Sequence, residues 1–485
     1  MASNPLRSLA GQTLVYGMGT IVPRLLNYLL VPYYTRVFKQ GEYGQITELY
    51  AYVAFFMVLL TYGMETAFFR FSQKEDTNKV FNTIFSLIIV TSTAFLLLIA
   101  VSFDFLAGLI QYTGSQEYIL FVGLVVALDA ATAVPFALLR KQNKAKKFAT
   151  IKLVNVVVNI SLNLFFLTLI PEKSLQFSDM FFGPDSRLVV WVFIANLISS
   201  LISLLMLFPH LKNFQCQLDF QFLKPILKYA LPVLIVGLAG MVNEVFDKIL
   251  LKYLLPDSKT AMQQVGIYGA NYKLGVLMTL FIQMFRYAAE PFFFAHADKK
   301  DSPELFAKVM NYFVIFGLFI FLMVTLYIDV FKLLLDKSYY GGLTIVPIIL
   351  IANLFYGIFF NLSIWYKLTD RTADAGWVSV GGAVITLIMN IILIPIIGYL
   401  GSAWATLACY FAMMLVSYFW GNKVYPIPYK TGRIMLYIVA ALFIYFISLK
   451  LKDMPSLFRY GVDTVMFAAF ALITLLIERK RLINV

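Results

Sequence analysis

A chain of 485 residues that is 61% hydrophobic and only 13% charged carries too little polar surface to cover a soluble core of its size. The composition excludes an ordinary soluble domain and points to an all-α polytopic membrane protein, since a helix satisfies its own backbone groups in hydrocarbon. The two cysteines, Cys216 and Cys409, lie far apart without CxxC spacing, and the two histidines, His210 and His296, are isolated, so neither a disulfide framework nor a metal site is expected.

Apolar stretches long enough to cross a bilayer recur along the whole chain, and about fourteen are predicted. They lie near 9–33, 45–69, 81–102, 117–139, 149–170, 188–208, 226–254, 266–292, 309–331, 342–366, 375–396, 399–421, 434–449 and 457–477. The amino terminus, "MASNPLRSLAGQ", has one arginine and no small-residue cleavage site, so the first span is expected to stay. With that terminus inside, about 24 of the 39 lysines and arginines fall in cytoplasmic loops and about 11 on the opposite side. The richest loop is "RKQNKAKKF" at 140–148, which reads as a topology anchor on anionic membrane lipids. The carboxyl end, "ERKRLINV", is basic too, so both termini are expected in the cytoplasm. Topology therefore accounts for the net charge of +13, and no nucleic-acid partner is implied.

The chain contains a duplication. "GEYGQITELY" at 41–50 is echoed by "VGIYGANYKL" at 265–274, which sets Tyr43 and Gly44 against Tyr268 and Gly269 about 225 residues on. Arg140 and Asn163 fall against Lys367 and Asn390 about 227 residues on. The spans thus divide into six, six and two: residues 1–210, 211–425 and 426–485. Because six is even, the two lobes insert the same way up, as parallel repeats around a central cavity.

A charge at the bilayer centre costs about 2.5–3.5 kcal/mol, so ionisable groups inside spans must face protein or water. Here they are Arg24 in the first span, Glu65 in the second, Asp129 in the fourth, Glu244, Asp247 and Lys248 in the seventh, and Lys273, Arg286 and Glu290 in the eighth. Glu244 and Lys248, and likewise Arg286 and Glu290, stand four residues apart and are expected to neutralise each other on one helix face. Glu65 is expected to pair with Arg70 near its helix end. Arg24 has no acid within a turn, and its repeat counterpart, the seventh span, carries Asp247 and Lys248 at similar depth. Arg24 and Asp247 are therefore expected to line a polar path, with Asp129 a further candidate.

The stretches "VPRLLNYLLVPYYTRVFKQGEYG", "YGMETAFFRF", "VPFALLRKQNKAKKFATIKLVNVVVNISLNL" and "FRYAAEPFFFAHA" resemble the polysaccharide-transporter branch of the multidrug/oligosaccharidyl-lipid/polysaccharide exporter superfamily. The resemblance covers nearly the whole chain. It implies a two-lobed bundle of twelve helices plus two more, in the inner membrane of a bacterium. It also implies a flippase for undecaprenyl-diphosphate-linked oligosaccharide, working beside the glycosyltransferases and glycan polymerase of O-antigen, exopolysaccharide or capsule synthesis. Relatives hold diphosphate with cationic side chains, which carries over to Arg24, with Lys248, Lys273 and Arg286 as partners in the cavity. Acids in such cavities bind a coupling Na+ or H+, a role open to Asp129, Glu244, Asp247 and Glu290; no other cofactor is expected.

Two other readings compete. A drug/cation antiporter of the same superfamily would share the plan but usually has twelve spans. A membrane-embedded glycan polymerase or ligase would need a large outer loop for catalysis, and the longest here, "PEKSLQFSDMFFGPDSR", has no histidine or cysteine and no convincing acid pair. Without a Gly-rich phosphate cradle, ATP hydrolysis is not expected.

Overall fold

The structure, a computed structural model, describes residue 17 and residues 19–113, 115–182, 188–212, 214–296 and 301–482. Among these residues all regular structure is helical. Twelve helical segments are long and apolar enough to cross a membrane, or thirteen with the bent pair Ser258–Leu274 and Val276–Phe294. The expected span at 9–33 begins outside the described residues. The count agrees with the sequence, although the eighth span starts earlier than expected and bends by 52° around Gly275.

Contacts divide the chain into two compact units, Met1–Gly266 and Ile267–Val485. The first contains α1 (19–28), α2 (Leu30–Val37), α3 (Gln40–Thr61), α4 (Met64–Phe71), α5 (Thr77–Val101) and α6 (Phe103–Leu109). It continues with α7 (Glu117–Lys141), α8 (Ala145–Leu164, extended by a π turn to Leu169), α9 (Pro171–Phe182), α10 (Val189–Leu207) and α11 (Phe220–Leu254). At its centre is α7, whose small residues Gly123, Ala127, Ala130 and Ala131 let α3, α5 and α10 pack around it. Helix α11 has 35 residues, about 50 Å at 1.5 Å per residue, and so outruns a hydrocarbon core of about 30 Å. It starts at the Asp219 cap, whose carboxylate accepts the Gln221 and Phe222 amides. The proposed repeat places α11 at the head of the second lobe, yet α11 packs in the first unit against α3 and α4.

The second span breaks between α3 and α4 at Tyr62 and Gly63, both at positive φ. Gly63 has φ +73°, and a Cβ there would come within 2.9 Å of the Ala230 carbonyl and 3.0 Å of Val233 on α11. Only glycine suits both the backbone and the space. The duplicated G-x-Y-G also has a packing reason. Gly44 of the first copy and Gly266 of the second meet where α3 crosses α12 (Ser258–Leu274), and their backbones approach to the point where a Cβ at Gly44 would collide with the Met262 carbonyl and one at Gly266 with the Gln40 carbonyl. Small residues take the place of side-chain packing at such a crossing.

The second unit contains α12 from Ile267 on, then α13 (Val276–His296), α14 (Ser302–Leu326), α15 (Ile328–Phe331), α16 (Ile345–Leu362) and α17 (Ile364–Leu368). After these come α18 (Thr372–Ile397), α19 (Tyr399–Val424), α20 (Thr431–Lys450) and α21 (Ser456–Leu482). The hairpin α20–α21 is fastened at two levels. At one end Arg433 and Tyr437 of α20 donate to Glu478 of α21, at 3.2 and 2.8 Å. At the other, Arg459 of α21 donates to Asp329 of α15, which also accepts from Lys332 at 2.5 Å, while the buried Asp463 carboxylate lies 4.0 Å from the Arg459 Nε.

Two outcomes follow from these contacts. Gly44→Ala gains about 1 kcal/mol of helix propensity but forces the crossing apart at a cost of about 1–3 kcal/mol, so the variant should unfold at a lower temperature in detergent. The second concerns Asp329. Burial alone would raise its carboxyl, but Lys332 and Arg459 outweigh that and hold it below the usual carboxylate range. A depressed carboxyl contributes stability that is present above the unfolded value of about 3.9 and is lost as pH falls through the folded one. The thermal midpoints of the parent and Asp329→Asn should therefore differ by a constant amount from pH 7 to about pH 4 and converge below it.

Candidate functional site

The charges inside the spans choose partners on other helices more often than on their own. Lys248 donates to the Asp247 carboxylate at 2.9 Å and to the backbone carbonyl of Glu244 at 2.9 Å. The expected Glu244–Lys248 couple is thus replaced by an Asp247–Lys248 pair, with Asp247 2% exposed and Lys248 12%. The Glu244 carboxylate is exposed and has no ion-pair partner among the described residues. Position 244 turns its side chain outward, so a lysine one turn on reaches its carbonyl instead.

The expected Arg286–Glu290 couple is also replaced. Glu290 pairs with Lys367 of α17, and Arg286, which is exposed, lies 4.1 Å over the Phe360 ring. Glu65 pairs with Arg140 at the end of α7 rather than with Arg70, which covers the Tyr229 ring at 4.3 Å. These two cross-helix ties occupy matching places: Glu65 and Glu290 are 225 residues apart, and Arg140 and Lys367 are 227 apart. A signal for them was present in the sequence, because "YGMETAFF" at 62–69 and "YAAEPFFF" at 287–294 share Y-x-x-E-x-x-F-F.

Arg24 is exposed on α1 and makes no hydrogen bond or ion pair among the described residues. Lys152 of α8, which sequence reasoning missed, stands within electrostatic reach of Arg24, Arg140, Asp129 and Glu65, with its ammonium 4.2 Å over the Phe136 ring. Asp129 of α7 lies beside Ser200 of α10 and near Tyr50 of α3. The first unit therefore brings Arg24, Lys152 and Asp129 into one neighbourhood. Lys273 is exposed on α12, in the second unit.

A polar seam runs beside this group. Tyr34 donates to Asn163 at 2.8 Å, Asn163 to the Asn159 carbonyl at 2.8 Å, Asn155 to Ser203 at 2.9 Å, and Asn196 to Tyr50 at 3.1 Å. The matching positions of α18 are Gly382, Thr386 and Asn390, where Asn390 donates to the Thr386 carbonyl at 2.7 Å and Gly382 accepts from the Cys409 thiol at 3.4 Å. The most deeply buried ion pair, Glu48 with Lys252, was also missed, because neither residue has an opposite charge at helical spacing. Among the described residues no three His, Cys, Asp or Glu side chains are grouped to hold a metal ion.

Residues 9–297 match the family model described as "Polysaccharide biosynthesis protein". The chain belongs to that family. This agrees with the polysaccharide-transporter branch that the sequence resembles. Comparison with curated proteins finds no sequence match. Among solved structures, "Lipid II flippase MurJ, inward closed conformation" is similar with TM-score 0.68 at 15% identity, covering 95% of this chain and 99% of that one. An inward-facing multidrug resistance MATE family transporter of the MOP superfamily gives TM-score 0.60 at 12% identity, covering 85% of this chain and 97% of that one. An outward-facing one gives 0.58 at 13%, covering 87% and 96%. At these identities the likeness establishes a shared fold.

Within this family member the α11 charges should separate by role in a stability measurement. Asp247→Asn leaves Lys248 nearly buried without its carboxylate and should cost about 3–5 kcal/mol, whereas Glu244→Gln should change thermal unfolding in detergent by no more than about 0.5 kcal/mol. Equal losses from the two variants would restore the Glu244–Lys248 couple.

Proposed function

We propose that the protein is a flippase that moves an undecaprenyl-diphosphate-linked oligosaccharide from the cytoplasmic to the outer leaflet of a bacterial inner membrane, for cell-surface polysaccharide synthesis. The observation that carries this reading is Arg24: an exposed guanidinium on α1, in the expected first span, without an ion pair among the described residues, in a medium that penalises lone charge. Such a group must face water or an anionic ligand, and the planar fork of arginine suits a diphosphate. Lys248 of the first unit, and Lys273 and Arg286 of the second, are further cations that the family resemblance offers for cargo binding. Of the acids, Asp129 is the better candidate for a coupling Na+ or H+, since Asp247 is tied to Lys248, Glu290 to Lys367, and Glu244 is exposed.

An apolar groove of about 280 Å³ in the second unit, lined by Phe355, Ile358, Phe411, Met414, Phe419 and Met435, supports a cargo with a polyprenyl tail. It lies beside α20, one of the two helices beyond a twelve-span plan, which also weighs against a drug/cation antiporter. A transport role rather than an enzymatic one fits the family fold. Both termini in the cytoplasm would place the basic loop 140–148 where glycosyltransferases deliver the cargo, with a glycan polymerase receiving it outside.

The test is leaflet exchange of a fluorescent lipid-linked oligosaccharide in vesicles containing purified protein. Arg24→Ala should lower the rate at least about tenfold at unchanged protein level and fold, and Arg24→Lys should recover it in part. Full exchange by Arg24→Ala would remove the reading's main support, and exchange of a drug cation in place of the lipid would favour the antiporter.

A further inference from the structure

The Glu48–Lys252 pair differs from every other ion pair among the described residues by its burial, with side chains 0% and 3% exposed. The Lys252 ammonium donates to both carboxylate oxygens of Glu48, at 3.0 and 3.1 Å, and to the Ile110 carbonyl at 2.6 Å, which uses all three of its protons. Glu48 also accepts from the Tyr112 hydroxyl at 2.7 Å, and the ammonium lies 4.1 Å over the Tyr112 ring. The hydroxyls of Tyr52, one turn further along α3, and Tyr253, next to Lys252 on α11, meet at 2.9 Å. Three elements are joined in this way: α3, the last turn of α11, and the segment that follows α6. All of them lie in the first unit.

This cluster stands at the opposite end of the second span from the Glu65–Arg140 tie, since Glu48 is near the start of α3 and Glu65 follows its break. With the amino terminus inside, as the basic residues imply, it marks the outer end. A saturated, dry ion pair resists partial opening. Moving α11 away by a small distance would leave each charge buried and alone, which is strongly unfavourable, while full opening lets water solvate both. The pair therefore has two acceptable states, sealed and dry or parted and wet.

We propose that Glu48 and Lys252 form a latch on the outer end of α11, sealed when that end is closed and parted when it opens, so that the pair sets the balance between the two conformations. This rests on the reading that the protein works by alternating access, but its test needs no cargo. The double variant Glu48→Gln with Lys252→Met removes both charges and leaves neither unpaired, which buried sites tolerate. The reporter is Ala51→Cys, a small substitution on the α3 face of Glu48 at a site 3% exposed, in a background with the exposed Cys216 replaced by serine. A membrane-impermeant maleimide is applied from the outside.

A latch predicts that the double variant runs as a folded monodisperse species and that its thiol reacts at least about tenfold faster than in the parent, while Lys252→Arg, which keeps the charge pair, stays slow. Unchanged labelling in the folded double variant would overturn the latch and leave a static pin. If the double variant does not fold, hydrogen exchange on the unaltered protein decides. Joint opening of 107–113 with 250–254 as one unit supports the latch, and exchange of the two segments at independent rates overturns it. A labelling response in a protein that moves no lipid would keep the latch and retire the cargo; lipid movement without a response would do the reverse.

Discussion

Hydrocarbon gives a charge nothing to bind, so every carboxylate and ammonium carried into a span must be answered by another part of the protein or by enclosed water. That constraint decides which helices are tied to which. Glu65 joins the second span to the fourth, Glu290 the eighth to the tenth, Glu48 joins the second to α11, and Asp329 with Glu478 holds the last hairpin. Arg24 and Glu244 are left over: both are exposed, and neither has an ion-pair partner among the described residues.

Much of the fold was legible because the bilayer sets a single length scale. Runs of about 20 apolar residues specify spans, and the count survives even where α3 breaks at Gly63 and the eighth span bends at Gly275. The duplication was legible at Tyr43–Gly44 and Tyr268–Gly269, and the motif's Gly44 and Gly266 lie at a backbone crossing with no room for a side chain. The partners of the buried charges were less accessible. Spacing of four residues suggests neighbours on one helix, whereas Lys248 found an adjacent carboxylate and Glu290 a lysine 77 residues away. Glu48 and Lys252, 204 residues apart, leave no local trace at all. For Glu65 and Glu290 the information was in the repeat rather than the helix, since a shared motif implies a shared partner.

Helix α11 shows why sequence symmetry and packing need not coincide. It has a place in the second copy by order along the chain, but its neighbours are α3 and α4. A 35-residue helix with Pro225 and Pro232 in its first half can keep one end in a fixed setting and direct the other elsewhere. The saturated ammonium near its last turn fixes that end.

The two copies have kept their ties and lost their likeness inside. Where α8 carries Asn155, Asn159 and Asn163, α18 carries Gly382, Thr386 and Asn390, and where α7 carries Asp129 the corresponding residue of α16 is Tyr356. An ancestor made of two identical halves could have worked in either pairing of its surfaces. In the present chain both halves bury polar side chains, among them Asn159 and Asn163 in one and Asn353, Asn361 and Asn390 in the other, and of these only Asn163 and Asn390 still fall at matching positions. Recombination between the halves would set asparagines at Gly382 and Thr386 and a tyrosine at Asp129.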